Sequence, residues 1–204
     1  HPTFIQNPLL LTIMLLTYEQ YAEVPSKMHQ FYREAFAALS VKHDANKGAY
    51  KRALKTGLTA ERLADYFTEF CCRSYHDEKF ELSEDEVSKY FNALKEREKS
   101  NDRTTTAGDF LYDLCSNICV MYFESGKYYF THRSFQEYFC ALHFSKQKDK
   151  NLESIGNFFE NRHSRMYGDR TFNMLYDMIP DKVEEYIFLP YLTRLYELCD
   201  SGEG

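Results

Sequence analysis

Apolar residues recur at helical spacing along most of this chain, and polar capping residues stand where the repeats begin. Leu9 to Tyr21 is almost wholly apolar, with Asn7 as an N-cap and Pro8 at the first helical position. A helix apolar on most sides is surrounded by protein. So close to the first residue, it suggests a fragment cut from a longer protein. Met28, Phe31, Tyr32, Ala35, Phe36 and Leu39 mark a second helix, opened at Pro25 or Ser26 and ending near His43-Asp44. Asp44 to Gly57 sets Asn46, Gly48 and Gly57 among Lys47, Lys51, Arg52 and Lys55, and reads as a connection with a short helical turn.

Thr59 caps a helix bearing Leu63, Tyr66, Phe67 and Phe70. Ser83 and Glu86 have capping-box spacing, in which each side chain satisfies the other's backbone N–H, and Val87, Tyr90, Phe91 and Leu94 follow. Lys95 to Arg103 turns charged and then polar, so a loop is expected. Thr106 and Asp109 open a further helix with Phe110, Leu111, Leu114, Cys115, Ile118 and Cys119. Cys119 to Glu124, Ser125-Gly126 and Lys127 to Thr131 read as a β-hairpin. Three helices followed by a hairpin is the order of a winged helix. Ser134 and Glu137 repeat the capping-box spacing before Phe135, Phe139 and Leu142. Three more helical patterns follow over Leu152–Asn161, Arg170–Ile179 and Asp181–Cys199. The fold class is therefore mainly α with a small β-hairpin. The expected parts are a helical segment over 1–45, a winged helix over 46–147 and a C-terminal helical segment over 148–204.

Composition agrees. With 8 Gly and 5 Pro in 204 residues there are few breakers, and 44% hydrophobic residues suffice for a core. The net charge of -6 argues against a nucleic-acid partner, which needs clustered Lys and Arg. The six cysteines form no C-x-x-C pair and read as reduced, mostly buried thiols of a cytoplasmic protein. The apolar run from Pro8 to Leu16 is far shorter than the ~20 residues that span a bilayer. No H-E-x-x-H and no G-x-S-x-G occurs, and the seven His are not spaced as metal ligands, so neither a catalytic set nor a metal site is expected.

The most informative stretch is Tyr128 to Leu142, where an aromatic strand runs into an amphipathic helix with His132 and Arg133 at the junction. A His and an Arg beside the N–H groups of a helix start suit an anion. If Ser134 and Glu137 cap that helix, the His132 side chain rather than the helix start would make the contact. The alternatives are a polar residue ending a strand for His132 and a solvated cation for Arg133. This stretch resembles the winged-helix segment of NACHT-type STAND NTPases, signalling ATPases that include the NOD-like receptors. Asn7 to Thr12 is similar to the lid segment of that family, and Phe36 to Arg52 adds Lys42-His43-Asp44 and Lys51-Arg52. The likeness covers roughly residues 5–145 and points to bacterial members; residues 146–204 carry no motif of the family.

The resemblance implies that His132 touches the β-phosphate of ADP, with Arg133 in support, and that Pro8 packs on the adenine. On spacing alone, Pro8 is simply a helix-opening proline. The family's phosphate loop, G-x-x-x-x-G-K-[ST], is absent, as is a Walker-B-like strand. The implied protein is the regulatory C-terminal half of a signal-transduction NTPase acting in defence or signalling. It would close over ADP held by an N-terminal NTPase core and control homo-oligomerisation. ADP or ATP with Mg²⁺ belongs to the full-length protein; no cofactor and no hydrolysis are expected of these residues. The alternative is a winged-helix module binding protein partners or DNA without nucleotide. The helix before the wing, with Asp109 and Asp113 and no Lys or Arg, speaks against DNA.

Overall fold

The computed structural model describes residues 8–21, 25–45, 54–98, 105–162 and 168–200. Asn7 and most of the basic connection, residues 46–53, lie outside them. The chain is mainly helical with one small antiparallel sheet. Helix α1 is Pro8–Tyr21 and α2 is Met28–Ala45. Then come α3 (Ala60–His76), β1 (Glu81–Leu82), α4 (Glu84–Glu98) and α5 (Ala107–Tyr112), which runs into a π-turn over Asp113–Asn117. The hairpin is β2 (Met121–Glu124) and β3 (Lys127–Phe130). After it lie α6 (Arg133–Ser145), α7 (Leu152–Glu160), α8 (Thr171–Met178) and α9 (Pro180–Val183). A second π-turn, Glu184–Phe188, leads into α10 (Leu189–Asp200). Among the described residues no helix is long and apolar enough to cross a membrane.

Local chemistry sets the starts of several helices. The Thr59 side chain accepts from the Arg62 N–H at 3.3 Å. The Ser83 N–H donates to Glu86 at 2.8 Å while the Glu86 N–H donates to Ser83 Oγ at 3.2 Å, closing that capping box. Thr106 and Asp109 close a second one. The hairpin turn holds Ser125 at φ 50° and Gly126 at φ 83°, the left-handed pair that matches the twist of the flanking strands. The sheet order is β1-β3-β2, with Leu82 opposite Tyr128 and Tyr122 opposite Tyr129. Strand β1 carries no signal in the residue pattern, because two residues show no alternation.

The core is aromatic. Phe67 on α3 meets Phe139 on α6 edge to face at 4.7 Å, and Phe36 on α2 meets Phe139 at 4.8 Å. Phe70 continues the stack to Phe110 and Phe130. Phe67, Phe70 and Phe110 are fully buried, each contributing roughly 1.5–3 kcal/mol by leaving water. The second π-turn ends at Phe188, two residues before Pro190, which lacks an N–H and would clash with the carbonyl one turn back; the wider turn accommodates it.

Asp113, one of the two acidic residues on the helix before the wing, is buried. It accepts from the Lys55 and Thr56 N–H groups, both at 2.9 Å, from the Thr56 hydroxyl and from the Asn117 amide. Its carboxylate thus pins residues 54–57 to the end of α5. Cys115 is half-buried and Cys119 is exposed beyond the π-turn at φ 60°, so they do not share a helical face. Of the six thiols only Cys71 and Cys140 are buried, fewer than expected.

Gly156 on α7 faces Ile187 in the second π-turn, where an added Cβ would lie 2.7 Å from Ile187 Cγ2. Gly156→Ala should destabilise the protein by about 1–3 kcal/mol through overpacking, measured by urea unfolding.

Candidate functional site

The site is the junction between β3 and α6. Thr131 fixes the exit of the strand, its N–H donating to Val120 O at 2.9 Å and its hydroxyl to Cys119 O at 2.8 Å. His132 follows with extended backbone, φ -147° and ψ 135°, and is itself the N-cap of α6. Its Nδ1 accepts from the Ser134 N–H at 3.2 Å and lies against the Ser134 hydroxyl. The expected capping box between Ser134 and Glu137 therefore does not form, and the imidazole takes the cap position instead. Glu137 is drawn away by two other donors, Arg133 Nε at 2.9 Å and the Arg170 N–H at 3.2 Å.

This arrangement assigns the histidine's protons. A ring that accepts at Nδ1 carries its proton on Nε2, so Nε2–H is the donor of the neutral ring. The ring is half-buried, and burial lowers its pKa from the ordinary 6.5. Behind Ser134 stands Tyr32 of α2, hydrogen-bonded to the same side chain, its phenol pushed up chiefly by burial. Tyr32 also meets Phe135 edge to face at 5.4 Å, so α2 packs directly behind the start of α6.

Arg133 does not stand free at this junction. Besides Glu137 it reaches Asp169 at 3.3 Å, and its guanidinium lies 4.6 Å over the Phe80 ring. Asp169 also accepts from the Tyr75 hydroxyl at 2.9 Å and from the Thr171 N–H at 2.9 Å. Glu137 and Asp169 thus fasten the first turn of α6 to the start of α8. Pro8 is exposed in the first turn of α1, its carbonyl accepting from Thr12 at 2.8 Å. Helix α1 packs on α2. Among the described residues no hydrogen bond or ring contact joins Pro8 to His132. His132 and Arg133 thus stand together at the junction, and Pro8 stands at the start of α1.

A second concave region, a groove of about 350 Å³, lies between α7 and the C-terminal helical run. Its floor includes Gly156, Phe159, Phe172 and Phe188, with Arg194 at the rim near Glu153 and Asn157. Nothing in the spacing of these residues announced a groove, since it forms only where α7 and α10 diverge. Among the described residues no group of three His, Cys, Asp or Glu side chains is placed to hold a metal ion.

Residues 176–204 match the model of a protein family described as a short NACHT-associated C-terminal domain, family 14. The match covers α9, the second π-turn and α10, the stretch in which sequence reading found no motif. Residues 176–204 are thus similar to a NACHT-associated C-terminal domain. No curated protein and no solved structure matches the chain.

Two measurements check the junction. Because burial lowers the His132 pKa, the unfolded chain binds this proton more readily than the folded one. The stability that the neutral cap contributes is present above the ordinary value of 6.5 and is lost as pH falls below it. His132→Ala should cost about 1 kcal/mol near neutral pH and flatten the acid-side slope, read by urea unfolding across pH. Asp169→Ala strips Tyr75, Arg133 and the Thr171 N–H of one acceptor, and should cost roughly 1–3 kcal/mol in the same assay.

Proposed function

We propose that this chain is the nucleotide-state-sensing, regulatory C-terminal part of a NACHT signal-transduction NTPase. The observation that carries the reading is the NACHT-associated match over residues 176–204. It falls outside residues 5–145, where the family resemblance lies, so the two supports are separate stretches of chain. The order helix, short strand, two helices and hairpin, with β1 beside β3, favours a winged helix over 46–147. On this reading 1–45 is the lid and 148–204 the C-terminal accessory segment.

His132 would meet the β-phosphate of ADP held by the NTPase core. Nε2–H is a suitable donor, and a hydrogen bond to a charged phosphate contributes roughly 1.5–3 kcal/mol. Pro8 would lie against the adenine. Arg133 would act through position rather than contact, because its guanidinium is held by Glu137 and Asp169. Loss of the His132 contact on exchange of ADP for ATP would release the winged helix and favour self-association. The chain's own residues supply no phosphate loop, so hydrolysis belongs to the core.

The exposed hairpin aromatics Tyr122 and Phe123 favour a second reading, a protein-binding winged helix indifferent to nucleotide. A DNA-binding reading is weaker still. Lys55, the described end of the basic connection, lies 3.5 Å from Asp109 and 4.8 Å over the Tyr112 ring.

The decisive experiment uses the polypeptide that carries both an NTPase core and these residues. His132→Ala should weaken ADP binding by roughly tenfold to a hundredfold and shift the protein towards oligomers. Calorimetric titration and size-exclusion light scattering read the two effects. Unchanged ADP affinity with an unchanged monomer would overturn the nucleotide-sensing role and leave the protein-binding reading.

A further inference from the structure

Helix α10 is built the wrong way round for a helix that only fills out a fold. Among the described residues, more than half of the large apolar side chains left open to water stand on one stretch, Phe188 to Leu198. No residue of α10 is buried. With 3.6 residues per turn, Leu189, Leu192 and Tyr196 share one face, and they are 60%, 56% and 72% exposed. Arg194 stands on the opposite face and turns toward α7, where it meets Glu153 at 3.4 Å, the Asn157 side chain at 3.3 Å and Glu160 at 3.7 Å. A surface helix ordinarily gives its apolar stripe to the core and its charges to water. Here a cation faces the protein and the stripe faces out, so the stripe is not what fastens α10. Tyr191, in the wall of the groove against α7, extends the apolar surface to that side. The open apolar surface of this stretch is roughly 600 Å², at the upper end for a monomer and near the ~800 Å² that each partner gives to a stable interface.

Charge narrows the kind of partner. Residues 176–204 hold seven carboxylates and two cations, so most of the chain's net charge of -6 lies there. Both cations are engaged within the protein, Arg194 on α7 and Lys182 on Asp149 at 2.6 Å. Asp181, Glu184, Glu185, Glu197 and Asp200 are exposed. A second copy of this chain would set the same acidic surplus against its like, with both cations already spent on internal pairs. An anionic bilayer would meet the same repulsion. A helix with an apolar stripe flanked by Lys or Arg is matched in shape and in charge. We infer that α10 and the adjoining groove form the docking surface for a cationic amphipathic helix of a partner protein.

This inference stands apart from the nucleotide reading, since neither His132 nor Pro8 takes part in it. Leu189, Leu192 and Tyr196 seat the apolar residues of the incoming helix, which recur three and four positions apart. Asp200, one turn beyond Tyr196, stands at the edge of that face and meets a Lys or Arg beside the stripe. Apolar contact supplies most of the affinity. The acidic surround selects a basic partner over an acidic one and speeds the encounter.

The test uses the unmodified chain and three labelled synthetic peptides of about 18 residues, long enough to hold a helix. The first has a leucine stripe flanked by lysines. The second has the same stripe flanked by glutamates. The third has the composition of the first with its leucines scrambled off the stripe. Fluorescence anisotropy reads binding, and light scattering reads the mass of the protein alone. The lysine peptide should bind with a Kd on the order of 10 μM, and the other two at least roughly tenfold more weakly. Leu192→Ala with Tyr196→Ala should weaken the lysine peptide roughly tenfold and leave the thermal melt unchanged, since neither side chain is buried. Leu189→Lys alone, on the same face, should do the same by repulsion. Equal binding of the lysine and glutamate peptides would overturn the cationic partner. Binding indifferent to all three substitutions would overturn the site. A dimer of the chain alone that is lost in the double variant would overturn the inference in favour of a second copy.

Discussion

The contact between α3 and α6 is the constraint on which the rest of the molecule depends. Phe67 and Phe139 meet there edge to face, a geometry that aromatic rings prefer and that fixes orientation as well as distance. Neighbouring elements attach to this pair. Helix α2 joins through Phe36, the sheet through Phe130, and α5 through Phe70 and Phe110. A shift of α6 against α3 would therefore be felt in the sheet, in α2 and at the start of α6 together.

A polar counterpart works at the first turn of α6. Glu137 is almost wholly buried, and a buried carboxylate is tolerated only with good partners. Arg133 and the Arg170 N–H supply them, while Asp169 completes the set. These bonds cross between residues far apart in sequence and bind the start of α8 to the helix that His132 caps. Through α8 they connect that histidine to the C-terminal stretch with the NACHT-associated match. The two regions argued to matter for function are thus mechanically joined, although no single local pattern links them.

Much of the helical framework was legible because its signals are local. The boxes at Ser83–Glu86 and Thr106–Asp109 form as their spacing predicts, and so do the Thr59 cap and the Ser125-Gly126 turn. The same spacing misled at Ser134–Glu137, because competition decided the outcome. His132 occupied the cap, and distant Arg170 helped claim the glutamate. Strand β1 was hidden by its length and Asp113's burial by its charge, since neither periodicity nor polarity reveals a carboxylate pinning a loop. Of the candidate site, the adjacency of His132 and Arg133 was legible in the chain. The cap made by the ring and the engagement of the guanidinium were not.

The hairpin carries one last consequence. Strand β3 is paired on both sides, by β1 at Tyr128 and Tyr129 and by β2 along its full length. Among the described residues strand β2 keeps one open edge, and beside it stand Tyr122 and Phe123, the latter 58% exposed. Such an edge could seed runaway stacking of chains. Its extent of four residues, ending in Glu124 opposite Lys127, keeps it too brief and too charged to act as a template. Brevity here is a safeguard against fibrils, retained while the aromatic rings stay open to water.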